Sequence, residues 1–239
     1  MNRFANPTRF LKLSAAILPW SMGLTLMLTA VGLALGLAVS PADYQQGQSV
    51  RIMYVHVPSA WMGMFSYMVV AGASAVALIW KHPLADLVAK SSAPVGAAFT
   101  FLCLVTGSLW GKPMWGAWWV WDARLTSMLI LLFLYLGYMA LVNAFDDPAR
   151  GARSGAILAL VGVVNIPIIK FSVDWWNTLH QPASVTKFGM PSIAVEMLIP
   201  LLVMTLAFKA YYVTVLLLGV RGEIAAAKVR AIRLAQVQE

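Results

Sequence analysis

Long apolar segments separated by polar or Trp-rich connections are the dominant pattern along this chain. In lipid a helix satisfies all of its own backbone hydrogen bonds, and about twenty apolar residues in a helix cross the ~30 Å hydrocarbon core of a bilayer. We therefore expect an all-α fold, a membrane bundle of six transmembrane helices. The six segments cover about residues 17–39, 58–80, 92–110, 126–145, 155–170 and 192–214.

Composition supports the same fold class. Of the 239 residues, 61% are hydrophobic and only 11% are charged, which is too little charge to cover the surface of a soluble domain. Six spans leave loops and tails but no room for a further globular unit, so residues 1–239 are predicted to form a single integral-membrane domain. The fifth segment is the weakest, because it is short and contains Asn165 and Pro167.

The positive charges are distributed unequally between the two sets of connections. The formal net charge of +8 raises the possibility of nucleic-acid binding, but the basic residues lie at the ends of apolar runs and form no patch. Eleven Lys and Arg residues occupy the N-terminal arm (among them Arg3), two short loops and the C-terminal tail, and five occupy the Trp-rich connections. The positive-inside rule then predicts that both termini are cytoplasmic and that the Trp-rich connections face outward.

Two features of the chain exclude other classes. The apolar stretch at 17–39 is too long for the apolar region of a signal peptide, so we expect a retained first span. Cys103 is the single cysteine, which rules out an internal disulfide, a CxxC thiol pair and the CxxCH motif that attaches c-type heme. The chain is therefore neither a thiol oxidoreductase nor a c-type cytochrome, and Cys103 is predicted to be a packing residue.

The second outer connection, the loop at 111–126, is unusually rich in tryptophan. Five of the chain's ten Trp residues fall within the twelve residues from Trp110 to Trp121. An interfacial aromatic belt is the simpler explanation, but a belt supplies one or two Trp at each span end. Pro113 suits the first turn of a short helix. Such a helix would place four side chains on one face, where they would form a flat platform for a large planar ligand: Trp115, Trp118, Trp119 and Asp122.

Two of the three histidines lie in outer connections on either side of this loop. His56 and His180 are each followed by a proline two residues later, which restricts the backbone there, whereas His82 lies at a cytoplasmic span end. Two imidazoles with scattered carboxylates are too few for a zinc site, but they suffice as axial ligands of an iron held by a porphyrin. No arrangement of nucleophile and base is recognisable, so no catalytic residue is predicted.

These residues resemble the heme-handling protein family of cytochrome c biogenesis, whose hallmark is a Trp-rich "WWD" segment in an outer loop. The matching stretch here runs from Trp115 through Trp118, Trp119, Trp121 and Asp122 to Arg124-Leu-Thr. Length, six spans and one outer-loop histidine on each side are similar to the CcmC branch of that family. The resemblance covers essentially the whole chain.

The resemblance implies a function, partners and residue roles. The chain would bind heme of the b type, transiently and without covalent attachment, at the periplasmic face of the bacterial inner membrane, with His56 and His180 as axial ligands. Trp115, Trp118, Trp119, Trp121 and Asp122 would line the heme edge, and Arg124 would contact a propionate or a partner. It would deliver heme to the heme chaperone CcmE beside an ABC-type complex of CcmA, CcmB and CcmD, and would not be an enzyme.

Two other functions stay open from the sequence alone. A membrane oxidoreductase of the cytochrome b type would place paired histidines at membrane depth, whereas both histidines here lie near span ends. A permease for another amphiphile would need a polar route through the membrane, for which Asn165 and Glu196 are the main candidates.

Overall fold

The computed structural model describes residues 6–182, 184–187 and 189–237. These residues form an α-helical bundle that contains no β-strand. The all-α prediction is confirmed. Arg3, one of the basic residues used to predict orientation, lies outside the described residues. In chain order the α-helices are α1 Pro7–Ala34, α2 Met53–Trp80, α3 Pro83–Trp115, α4 Ala123–Asn143, α5 Pro148–Gly162, α6 Asn165–Trp175 and α7 Val195–Val237.

Six helical stretches of the described chain are long and apolar enough to cross a membrane, with α5 and α6 together making one of them. This confirms the six predicted spans, although their ends differ from those of the apolar segments. Five of the six spans begin earlier than predicted, α3, α6 and α7 end later, and α4 ends two residues earlier. The extensions follow from local capping that hydropathy does not register. The α1 helix begins at Pro7, where the Asn6 side chain accepts a hydrogen bond from the Thr8 amide at 2.9 Å.

The fifth span is broken between α5 and α6 at Val163 and Val164. Pro167 explains the break, because it lacks the amide that would bond to the Val163 carbonyl and its ring crowds that carbonyl. The break is anchored to α4 by Asn165, whose buried side-chain amide donates to the Ser127 carbonyl at 2.9 Å. The residues that made this segment look weak in the sequence therefore shape the span.

The interior of the bundle lies between α2, α3, α4 and α5. The α2 and α3 helices form its most extensive contact, and α4 packs against both α3 and α5. Tyr67 and Tyr135 meet edge to face in the core at 5.1 Å between ring centroids, and the Tyr135 hydroxyl donates to the Gly63 carbonyl at 2.7 Å. The first helix lies on the outside of the bundle against α7.

The start of α2, the end of α3, the start of α4 and the end of α6 lie at one end of the bundle, which we call the histidine end. The connection after α1 is tied to α3 there, since the Trp110 indole donates to the Gln46 side-chain carbonyl at 3.0 Å. Because neighbouring helices alternate in direction, residues far apart in sequence are brought together at this end.

The short helix predicted to begin at Pro113 is wrong. Pro113 lies in the last turn of α3, which continues to Trp115 and ends at Gly116 in the left-handed conformation with φ 74°. Residues 117–122 are not helical. A glycine that can adopt positive φ is a common helix terminator, and it stops α3 before a new helix can form. The predicted loop at 111–126 is thus shortened at both ends by α3 and α4.

Candidate functional site

His56 is held in the first turn of α2 by contacts with α3. Its Nδ1 lies 3.0 Å from the Cys103 carbonyl oxygen and 3.2 Å from the Thr106 hydroxyl. A carbonyl can only accept, so Nδ1 carries the proton and the lone pair of a neutral imidazole is on Nε2. The His56 ring also meets the Trp110 indole edge to face at 5.6 Å between centroids.

The space for the His56 ring depends on Gly107. A Cβ atom added at Gly107 would lie 2.9 Å from His56 Cε1. That separation is shorter than a van der Waals contact, so any side chain at position 107 would displace the imidazole or the helix.

His180 is held by a different acceptor in the connection between α6 and α7. Its Nδ1 donates to a carboxylate oxygen of Asp122 at 3.1 Å, and its amide donates to the Thr178 hydroxyl at 3.1 Å. The Thr178 hydroxyl in turn donates to the same Asp122 oxygen. The His180 ring meets the Trp115 indole at 4.9 Å between centroids. Here too the acceptor fixes a proton on Nδ1, so in the neutral imidazole the lone pair is on Nε2.

Asp122 has a second role as the N-cap of α4. Its other carboxylate oxygen accepts a hydrogen bond from the Leu125 amide at 2.8 Å, and its side chain is only 6% exposed. Burial raises the pKa of this carboxyl, but hydrogen bonds from His180, from the Leu125 amide and from Thr178 outweigh burial and lower the pKa to about 2. Asp122 is therefore an anion at neutral pH and a strong acceptor for His180.

Both histidines thus lie at the same end of α3, and both are hydrogen-bonded through Nδ1. Trp110 contacts His56 and Trp115 contacts His180, and the two tryptophans are five residues apart, about 7.5 Å along a helix axis. Neither Nε2 atom has a hydrogen-bond partner among the described residues, whereas each Nδ1 is anchored. An imidazole that is oriented through Nδ1 and open at Nε2 is the usual arrangement of a histidine that ligates a metal.

The remaining tryptophans of the loop lie on irregular backbone and do not form the predicted flat row. Trp118 and Trp121 are 55% and 75% exposed, and Trp121 meets Trp119 edge to face at 5.4 Å between centroids. The Lys112 ammonium lies 5.8 Å from the Trp118 ring. The indole nitrogen of Trp119 is buried and has no hydrogen-bond partner among the described residues. The loop therefore presents apolar ring surface with a spare donor, and its role as a heme edge stays a prediction.

Arg124 joins α4 to the end of α6. Its Nε lies 3.3 Å from the Ser172 hydroxyl, and its Nη2 donates to the carbonyls of Ile169 and Lys170 at 3.5 and 3.3 Å. These carbonyls lie near the C-terminal end of α6, where a cation is favourable. The other terminal nitrogen, Nη1, has no hydrogen-bond partner among the described residues.

Other residues singled out in the sequence lie at the edges of this site or outside it. Glu196 is exposed in the first turn of α7, where a carboxylate suits the helix dipole. Cys103 is buried in the core cluster, as predicted, with its carbonyl on His56. In the described part of the chain, no three His, Cys, Asp or Glu side chains are grouped as a metal site.

Three contributors to the site carry no clear signal in the sequence: Thr106, Gly107 and Thr178. They act through contacts between distant parts of the chain, and nothing in the local sequence announces those contacts. Asp122 is different, since an aspartate directly before an apolar run is a recognisable N-cap signal. Its bond to His180, however, joins positions 58 residues apart and required the tertiary structure.

Fold and site together define a polytopic helical membrane protein with two oriented imidazoles at one end of the bundle, next to a Trp-rich segment. Residues 1–235 match the family model of CcmC, heme exporter protein C. The chain belongs to this family.

Individual relatives are similar over most of their length. The chain is 58% identical to heme exporter protein C of Bradyrhizobium diazoefficiens over 232 residues, which are 97% of this chain and 88% of the relative. It is 51% identical to heme exporter protein C of Haemophilus influenzae over 224 residues, 94% of this chain and 91% of the relative. A ccmC-like mitochondrial protein of Marchantia polymorpha, named for cytochrome c biosynthesis, is 50% identical over 187 residues, 78% of this chain and 79% of the relative.

Proposed function

We propose that this protein handles heme for the biogenesis of c-type cytochromes, binding it at the periplasmic face of the bacterial inner membrane. The observation that carries this proposal is the matched state of the two histidines. His56 and His180 are each anchored through Nδ1 and open at Nε2, and they contact neighbouring turns of α3. The names of the relatives, which refer to heme export and cytochrome c biosynthesis, support the same function.

Heme is the cargo that fits this donor set. A porphyrin supplies four nitrogens to its iron, so His56 and His180 as axial ligands complete the coordination without a third protein ligand. The chain has no CxxCH motif, so heme is held without covalent bonds and can be released. Trp115, Trp118, Trp119, Trp121 and Asp122 line the bound ring, and Arg124 offers Nη1 to a propionate or to the receiving protein.

The second half of the proposal is delivery. The chain passes heme to the chaperone CcmE, acts beside the ABC-type complex of CcmA, CcmB and CcmD, and performs no catalysis of its own. Residues 1–239 act as one integral-membrane domain with both termini in the cytoplasm. The exposed indoles of Trp118 and Trp121 support this proposal, because a site that releases its cargo to a partner needs an accessible edge.

The test is an absorption spectrum of the full-length protein purified with heme. We expect a low-spin spectrum typical of two nitrogen ligands. His56→Ala and His180→Ala should each change the spectrum or lower heme retention by about tenfold or more, since each removes an iron ligand.

His82→Ala is the matched control, because His82 lies at the other end of α2 and α3, and it should keep the wild-type spectrum. Unchanged spectra in both the His56 and the His180 variants would remove these residues as ligands and overturn the proposed site. Turnover with a quinol would instead favour an oxidoreductase.

A further inference from the structure

A cleft of about 450 Å³ lies between α2, α3 and α5 at the end of the bundle opposite the histidines. Along α2, His56 and Ala77 are separated by 21 residues, or about 32 Å of helix, so the cleft is remote from the proposed heme site. Its walls are formed by small or apolar residues and by five charged ones: Lys81, Asp86, Asp147, Arg150 and Arg153.

The positive charges of the cleft are more available than the negative ones. The Asp147 carboxylate caps α5 by accepting from the Ala149 amide at 2.9 Å, and Asp86 interacts electrostatically with Lys81. Arg150 and Arg153 are exposed, and within the described part of the chain their guanidinium groups form no hydrogen bond or ion pair. They are three residues apart on α5 and therefore project from the same face. Two free guanidinium groups are a binding site for an oxyanion.

An exposed apolar stripe continues along α5 and across its break from these arginines. Ile157 is one turn beyond Arg153 and is 51% exposed, and Val161 and Val164 follow with 66% and 65% exposed. The spacing of four residues keeps Arg153, Ile157 and Val161 on one face of α5, and Val164 follows within the break. The two guanidinium groups match the phosphate headgroup of a phospholipid, and the apolar stripe beside them matches an acyl chain.

We propose that this cleft binds the phosphate headgroup of an anionic membrane phospholipid, with an acyl chain lying along the stripe of Ile157, Val161 and Val164. Arg150 and Arg153 contact the phosphate, and the small side chains of Ala149 and Ala152 leave space for it. A free phosphate would use the same guanidinium groups but would gain nothing from the stripe.

The test is native mass spectrometry of the full-length protein in detergent, titrated with phosphatidylglycerol, phosphatidylcholine or inorganic phosphate. We expect phosphatidylglycerol to remain bound at concentrations at which phosphatidylcholine is lost. Changing both arginines, Arg150→Gln with Arg153→Gln, should lower phosphatidylglycerol retention by about tenfold or more, because two headgroup contacts are removed.

A matched control changes the same number of charges elsewhere. Lys228→Gln with Arg230→Gln alters two exposed cations on the C-terminal part of α7 and should leave retention unchanged. Val161→Ser keeps every charge and should lower retention of the lipid by removing part of the stripe. All variants should keep the wild-type heme spectrum.

Four outcomes would overturn the proposal. Equal retention of phosphatidylglycerol and phosphatidylcholine would show that the site does not recognise the anionic headgroup. Full retention of phosphatidylglycerol in the double arginine variant, or an equal loss in the Lys228 and Arg230 control, would show that the lipid does not bind in the cleft. Displacement of the lipid by inorganic phosphate, together with no effect of Val161→Ser, would show a site for free anions.

Discussion

At the scale of single residues, the two histidines owe their orientation to acceptors of different kinds. His56 donates to a backbone carbonyl and His180 to a carboxylate with a pKa of about 2. A carboxylate acceptor makes an imidazole more electron-rich than a carbonyl does, so in the proposed heme site His180 is expected to be the stronger ligand of the pair. An unequal pair would suit the proposed release of heme, since the weaker bond could break first.

Gly107 provides the sharpest test of how His56 is positioned. Gly107→Ala places a methyl group 2.9 Å from His56 Cε1, so the ring must move and its Nε2 with it. We expect heme retention to fall by about tenfold, the range seen when the support of a metal ligand is disturbed. The measurement is the ratio of heme to protein absorbance in the purified variant.

Gly72→Ala is the control for this substitution. Gly107 lies within α3 and Gly72 within α2, but a Cβ added at Gly72 would have no atom within 4 Å. It should keep full heme retention and gain up to about 1 kcal/mol in stability from the better helix propensity of alanine. Equal heme retention in the two variants would contradict the positioning role assigned to Gly107.

At the scale of elements, the broken fifth span connects the core to the site. Pro167 separates α5 from α6, Asn165 ties the break to α4, and Arg124 ties the start of α4 to the end of α6. The position of α6 therefore depends on polar contacts that α4 makes near both ends of α6. The connection that carries His180 follows α6 directly, so the same contacts support that histidine.

Asn165→Ala should loosen this arrangement. It removes the hydrogen bond to the Ser127 carbonyl from a buried position, and such bonds between membrane helices contribute about 0.6 kcal/mol on average and up to about 1.7. We expect a lower midpoint of thermal unfolding in detergent.

Asn143→Ala serves as the comparison, because in the part of the chain that the structure describes the exposed Asn143 amide bonds only to the Met139 carbonyl of its own helix. That variant should unfold close to the wild-type midpoint. A midpoint for Asn165→Ala no lower than that for Asn143→Ala would argue against the anchor.

At the scale of the whole molecule, the two ends of the bundle differ in chemistry. The histidine end collects indoles, two oriented imidazoles and the buried Asp122, whereas the opposite end has free arginines next to an apolar stripe. In the proposed orientation the first end faces the periplasm and the second faces the cytoplasm. This division agrees with the greater number of basic residues on the predicted cytoplasmic side.

Cysteine labelling in intact cells would test that orientation. In a Cys103→Ser background, Met190→Cys in the connection before α7 should react with a membrane-impermeant maleimide, because Met190 is 87% exposed. Asp146→Cys, in the exposed turn between α4 and α5, should react only after lysis. The reverse pattern would place the histidine end in the cytoplasm and refute periplasmic binding.

What the sequence determined by itself was the periodic and compositional part of the architecture. Six apolar segments of spanning length require helices, because a bilayer leaves backbone groups no other partners, and the Trp-rich loop and its two flanking histidines are visible as residue types. Helix ends were predicted less well, because capping at Asn6 and termination at Gly116 override hydropathy.

Only the tertiary structure decided how the site is assembled. The acceptor for His56 lies 47 residues away at Cys103, and the acceptor for His180 lies 58 residues away at Asp122. Such pairings depend on which helices pack together and in what register, and local periodicity carries neither piece of information. The predicted Trp platform failed for a local reason instead, because α3 continues past Pro113 and ends at Gly116, so no new helix aligns the indoles.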